Sequence, residues 1–263
     1  YARYEQEWSE IFDTENSDRA FEEEVELSGF GSAPVKAEGA GVQFDDATEA
    51  FTSRYSHETI ALAFAITEEA VEDNLYDSLS SRYTMANAKE IKGANVLNRA
   101  FNSSFTGGDG VELCSTAHLT VAGGNYANEL STSADLNETS LEQSLIDIAG
   151  FIDNRGLKIA VKATKMIIPV NLQFVAERLM KSQLRTATSD NDINAIGNMG
   201  MIPGGYVINH YLTDTDAFFI KTDAPNGLKH FNRAPIKTSM EGDFDTGNVR
   251  YKARERYSFG FSD

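Results

Sequence analysis

Between Thr67 and Phe105 the apolar residues Val71, Leu75, Leu79, Ile91, Ala94 and Leu97 recur at spacings of three, four or their multiples, the period of a helix. Thr67 is placed as an N-cap, and Glu68 and Glu69 stand where the helix dipole favours acids. No proline interrupts residues 67–105 and only one glycine, Gly93, does, so the pattern predicts one helix of about 35 residues, roughly 50 Å long, a strut. From 135 to 222 helical and strand patterns alternate. Ser140 and Gln143 form a capping box, Leu141, Leu145, Ile148 and Ile152 share one face, and Gly156 reads as the stop. Leu172, Val175, Ala176, Leu179 and Met180 mark a third helix, and Leu157–Val161, Met166–Val170, Tyr206–Leu212 and Ala217–Lys221 read as strands. This alternation predicts a compact α/β domain. Val249–Phe261 returns to strand, with Phe259 and Phe261 on one face.

Two further strands, Phe21–Phe30 and Ala50–Ile60, flank residues 29–46, where Gly29, Gly31, Pro34, Gly39 and Gly41 predict an exposed loop. Together they read as an extended hairpin. Such a hairpin has too little core of its own and must pack on a neighbouring element or chain.

Composition narrows the class. With 41% hydrophobic and 24% charged residues among 263, the chain is no disordered polymer, collagen or coiled-coil rod, and it buries enough surface to need no disulfide or metal staple. Lys and Arg number 23 against 40 Asp and Glu, a formal charge of −17, which excludes a general nucleic-acid binder. The single cysteine, Cys114, can form no internal disulfide and fits a cytosolic origin. Ile60–Ile66 is the longest apolar run, far short of the roughly 20 residues of a membrane span. Residues 1–12 are charged throughout, unlike a signal peptide, and a start on Tyr1 reads as processed or trimmed.

The charge is not spread evenly. Residues 5–26 hold ten acids against Arg19 alone, a local charge of −9, yet they also carry Trp8, Ile11, Phe12, Phe21 and Val25, with Leu27 just beyond. A merely solvating tail has no use for these, so the arm is expected to lie on something. Arg250, Lys252, Arg254 and Arg256 are spaced by two and share one strand face. This stripe is the expected receiver of the acidic arm, in cis or between subunits.

Catalytic signatures fail in turn. There is no Gly-x-Ser-x-Gly elbow and no phosphate loop, and Gly29-Phe-Gly31-Ser-Ala-Pro34 breaks the dinucleotide pattern. The histidines His57, His118, His210 and His230 are scattered. Asp190-Asn-Asp192-Ile-Asn194 opens like a calcium loop but has Ala195 and Met201 where Gly and Glu are required. Cys114 and His118 leave open a thiolate hydrolase, although such pairs are assembled by a fold rather than by close spacing. Expected, therefore, are no catalytic, cofactor-binding or metal-binding residues, and parts suited to contacting other subunits. A secreted surface-layer protein is a further alternative, without the calcium motifs it would need.

Several stretches resemble the major capsid protein of tailed bacteriophages, in the Mu-like head-subunit branch of the Hong Kong 97-like fold. Ile66-Thr-Glu-Glu-Ala-Val-Glu-Asp-Asn74 is similar to that family's entry into its spine helix, and Asp109-Gly-Val-Glu-Leu-Cys-Ser-Thr-Ala-His118 to its DG-x-x-LF-S-x-x-H turn. Leu212–Ile220 resembles its late strand pair and Arg254–Phe261 its closing strand, with Cys114 and Leu119 as departures. The resemblance implies an α+β fold with an N-terminal arm (1–28), an extended β-hairpin loop (29–60), a peripheral domain (61–134, with a spine helix at about 67–105, and return strands 228–263) and an axial α/β domain (135–227). It further implies assembly into hexamers and pentamers of an icosahedral shell around double-stranded DNA. Portal, scaffold and decoration proteins are the implied partners. The shell is assembled in the host bacterial cytoplasm, without a membrane and without sequence-specific DNA binding. An encapsulin-type bacterial compartment shares the fold as an alternative. Some members cross-link a loop Lys to a neighbour's Asn; Lys36 is the only Lys of residues 29–46, and no cross-link is expected because nothing marks an acidic catalyst. Subunits each carrying −17 repel one another, so moderate salt or divalent cations are expected to help assembly.

Overall fold

The computed structural model describes residues 6–67, 73, 81–185, 192–242 and 247–262. They form two compact units, one of Tyr1–Glu22, Arg54–Val96 and Leu228–Gly260, the other of Glu23–Ser53, Leu97–Gly227 and Phe261–Asp263.

The first unit is built on a four-stranded sheet. In chain order its strands are β1 (Asp13–Asn16), β4 (Glu58–Ile66), β10 (Leu228–Gly242) and β11 (Val249–Phe261), arranged β1-β10-β11-β4. β1 runs parallel to β10, with Asp13 opposite Lys229 and Asn16 opposite Asn232. β4 runs antiparallel to β11, with Ala61, Ala63 and Ala65 opposite Arg254, Lys252 and Arg250. On the alternate face Phe64 stacks on Tyr251 at 5.2 Å, which fixes the register, because a slip by one would put the two rings on opposite faces of the sheet. Helix α1 (Ser81–Asn98) brings Lys89 and Glu90 to this unit. The predicted strut is observed over Ser81–Asn98, while the Glu68, Glu69, Val71, Leu75 and Leu79 part of it lies outside the described residues. It ends before residue 105: Ala100 N bonds Leu97 O, Asn102 N bonds Arg99 O, and Ser104 N bonds the Asn102 side chain, so tight backbone turns and one side-chain bond replace the helical ladder.

In the second unit, β2 (Phe21–Ser28) and β3 (Thr48–Ser56) pair as the predicted hairpin around residues 29–47. His57 separates β3 from β4. The ribbon β5 (His118–Leu119) and β6 (Asn125–Tyr126) follows. Helix α2 (Glu138–Ala149) starts three residues before the expected box: Asn137 is the N-cap, its side chain accepts from Ser140 N, and the Ser140 hydroxyl accepts from Asn137 N. It stops at Gly150 rather than Gly156, which serves a later turn at φ +79°. β7 (Ala163–Ile168) lies between parallel β8 (Tyr206–Ile208) and antiparallel β9 (Phe219–Thr222). Helices α3 (Gln173–Lys181) and α4 (Ala195–Met199) complete the unit. Its core joins Leu141, Leu145 and Ile148 of α2 to Met166 and Ile168 of β7 and Ala176 of α3. Leu157–Val161 makes only one bridge, Ile152 with Lys158, because Asp153 Oδ1 takes the amides of Arg155 and Leu157 into a turn.

Candidate assembly surfaces

The acidic arm lies on its own chain, as its apolar residues require, but not on the predicted stripe. Trp8, Ile11 and Phe12 are buried, a contribution on the order of 2 kcal/mol each. The Trp8 ring is 4.4 Å from His230 and 5.6 Å from Phe259, and Phe12 packs 4.9 Å from Phe259. Gly93 makes room for this: a Cβ there would stand 3.2 Å from Trp8 Cβ. From α1, Glu90 accepts the backbone N–H of Glu7 at 3.1 Å and of Trp8 at 3.0 Å. Burial, the first cause, pushes its carboxyl up to about 7 against those two hydrogen bonds. Lys89 sits 4.5 Å from the Trp8 ring and 4.7 Å from that of Tyr257, and burial lowers its pKa. The His230 ring is held down to about 3 by burial and by Lys89.

The cations that meet the arm come mainly from β10. Lys229 pairs with Glu15 at 3.0 Å, and Arg233 donates to Arg19 O at 2.9 Å. Of the stripe, Arg256 reaches the arm, at 3.4 Å from Ala20 O, while Arg250, Lys252 and Arg254 are exposed. β1 adds to the sheet through β10, and main-chain pairing together with the aromatic anchor decides the docking over charge alone.

A buried polar chain fastens the turn after the arm. Ser17 Oγ donates to Glu22 Oε1 at 2.6 Å and accepts from His57 Nε2 at 2.8 Å, and Ser258 Oγ lies 3.0 Å from His57 Nδ1. Because Ser17 gives its one proton to Glu22, the network assigns the hydrogen of His57 to Nε2. Burial first, then Arg256 and Arg233, lower the His57 pKa, against Glu22.

The neck of the long loop is held by Arg155. Its Nε donates to Gly29 O at 3.0 Å, and its Nη2 to Asp46 O at 2.7 Å and Asp45 Oδ1 at 3.1 Å. Asp45 Oδ2 also takes the Gly31 amide at 2.7 Å, and the Ser28 and Thr48 hydroxyls bond across the neck at 2.9 Å. Beyond this neck, Phe30, Val35, Val42 and Phe44 are exposed, Phe44 by 97%.

Cys114 and His118 do not form a pair. Burial, then Glu129 and Glu112, pushes the Cys114 thiol up to about 12, so no thiolate nucleophile is available at neutral pH. His118 instead bonds through Nδ1 to Asp109 Oδ2 at 2.7 Å, with both side chains buried. Asp109 Oδ1 also takes the Val111 amide at 2.9 Å, so the first and last residues of the 109–118 motif staple its turn. Among the described residues no group of three or more His, Cys, Asp or Glu is placed to hold a metal, and no helix is long and apolar enough to cross a membrane.

Comparison with known proteins places this architecture. The family model described as phage capsid protein matches residues 49–263. No curated protein matches the chain. Among solved structures, a chain from Microbacterium phage Oxtober96 is similar at TM-score 0.56 and 12% identity, over 100% of this chain and 88% of that one. The capsid of Myoviridae phage XM1 matches at 0.54 and 13%, over 96% and 86%. The capsid of a native GTA particle matches at 0.53 and 16%, over 100% and 89%. These point to the family and not to one branch of it. Its members are structural proteins, not enzymes, and with the Hong Kong 97-like fold and a match over most of its length, this chain belongs to the phage capsid protein family.

Proposed function

We propose that this protein is the major head subunit of a tailed phage, assembling through hexamers and pentamers into an icosahedral shell that encloses double-stranded DNA. The observation that carries this reading, beside the family match, is the loop beyond Arg155: four large apolar side chains stand in solvent on a segment whose neck is fixed. Such a loop fits a subunit whose neighbours cover it. The N-terminal arm (1–28), extended loop (29–60), peripheral domain (61–134 and 228–263) and axial domain (135–227) are the corresponding parts. Portal, scaffold and decoration proteins would join it in the host cytoplasm, and the finished shell is the virion capsid. Lys36 forms no covalent link in this scheme.

Negative-stain microscopy with analytical ultracentrifugation of the purified chain tests the proposal. Closed shells or rings of five and six are expected. A monomer at all concentrations, its loop resistant to protease, would overturn it.

A further inference from the structure

β4 is the edge of its sheet, and among the described residues nothing pairs with its outer side. At nine residues it is longer than the usual strand of about five or six. From Thr59 to Ile66 it carries no charge, proline or glycine, so it lacks the devices that keep sheet edges from pairing. Its solvent-facing side chains are also unusually small. Ala61, Ala63 and Ala65 are exposed, and alanine is a poor choice for an open strand face. Opposite each stands a long cation of β11, namely Arg254, Lys252 and Arg250.

Taken together, these features describe a seat. The methyls keep the surface low, and the methylene stems of the cations can lie along them with their charged heads toward the free edge. Charges two residues apart recur about every 7 Å along a strand, the repeat of same-face side chains on any strand added alongside. We infer that the outer edge of β4 receives an extended acidic segment of a second copy of this chain, paired by main-chain hydrogen bonds and held by Arg254 and Lys252. A polypeptide fits better than a nucleic acid, because an open ladder offers donors and acceptors alternately whereas phosphates only accept. A second copy supplies the charge, since 40 acids outnumber 23 bases in each chain.

The inference rests on the shell reading, and the test separates the two. Shells are formed from equal amounts of unlabelled and 15N-labelled chains in which Ala63 is replaced by p-benzoylphenylalanine, then irradiated and digested. Cross-links joining light to heavy peptides, the partner peptide rich in Asp and Glu, are expected. Same-isotope pairs only, links to nucleic acid only, or none would overturn the inference. A second arm uses the exposed double variant Lys252→Glu, Arg254→Glu, and it decides the matter if the probe itself blocks assembly. Its melting temperature should match the wild type while shell yield falls at least about tenfold; wild-type yield would overturn the inference. Failure of the unmodified chain to form shells would instead sink the shell reading itself.

Discussion

Replacing Glu90 with Gln tests how the arm is held. In the docked state the Glu90 carboxyl is pushed up to about 7, from an ordinary value of 4.5, chiefly by burial. Glu7 adds to the rise, and Lys89 and the two arm amides oppose it. A carboxyl with a raised folded value contributes its full stability below about 4.5 and loses it as pH climbs through about 7. The difference is worth about 3 kcal/mol at about 1.4 kcal/mol per pH unit. Gln stays neutral throughout, but its single carbonyl oxygen serves only one of the two amides, which costs about 1 kcal/mol. Glu90→Gln should therefore be less stable than wild type by about 1 kcal/mol at pH 4.5 and more stable by about 2 kcal/mol at pH 8. His230, held down to about 3, has the opposite dependence: its contribution is present above 6.5 and fades as pH falls. That dependence is common to both proteins and cancels in their difference. Urea titrations of dissociated subunits, followed by Trp8 fluorescence, read the effect directly, since Trp8 is the only tryptophan. A difference between variant and wild type that stays constant from pH 4.5 to 8 would refute the reasoning.

Arg155→Ala should open the loop neck, raising tryptic cleavage at Lys36 about tenfold with little change in melting temperature, and Arg155→Lys should restore little because an ammonium cannot span Gly29 O and Asp46 O as a fork. Gly260→Ala should cost about 1–3 kcal/mol in denaturant titration, because the new methyl would stand 2.7 Å from the buried Tyr55 ring. Cys114→Ala should still assemble, and the wild-type thiol should resist iodoacetamide at pH 8 until the chain is unfolded. Shell yield should rise from low to moderate ionic strength, followed by light scattering; a steady fall would mean that complementary pairs outweigh the repulsion of subunits carrying −17.

What local periodicity determines was readable in the sequence. The hairpin strands, α3 and β11 follow from alternation or helical spacing, and the aromatic residues of the arm announced that it is docked. What depends on distant partners was not. Nothing near Arg155 signals Gly29 and Asp46, and nothing near Glu90 signals the arm amides. β10 came only with the resemblance, as return strands within 228–263, and it carries Pro235, a residue that argues against an inner strand. It is accommodated because the stretch paired with β1 ends at Asn232. The 109–118 motif was legible as a resemblance, but its work is structural, the Asp109–His118 staple.

The parallel pairing of β1 with β10 also has a temporal side. Thr14 contacts His230 across 216 positions of chain, so the seat of the arm does not exist until β10 and β11 have been synthesised. A polypeptide released early by the ribosome leaves Trp8, Ile11 and Phe12 with nowhere to go.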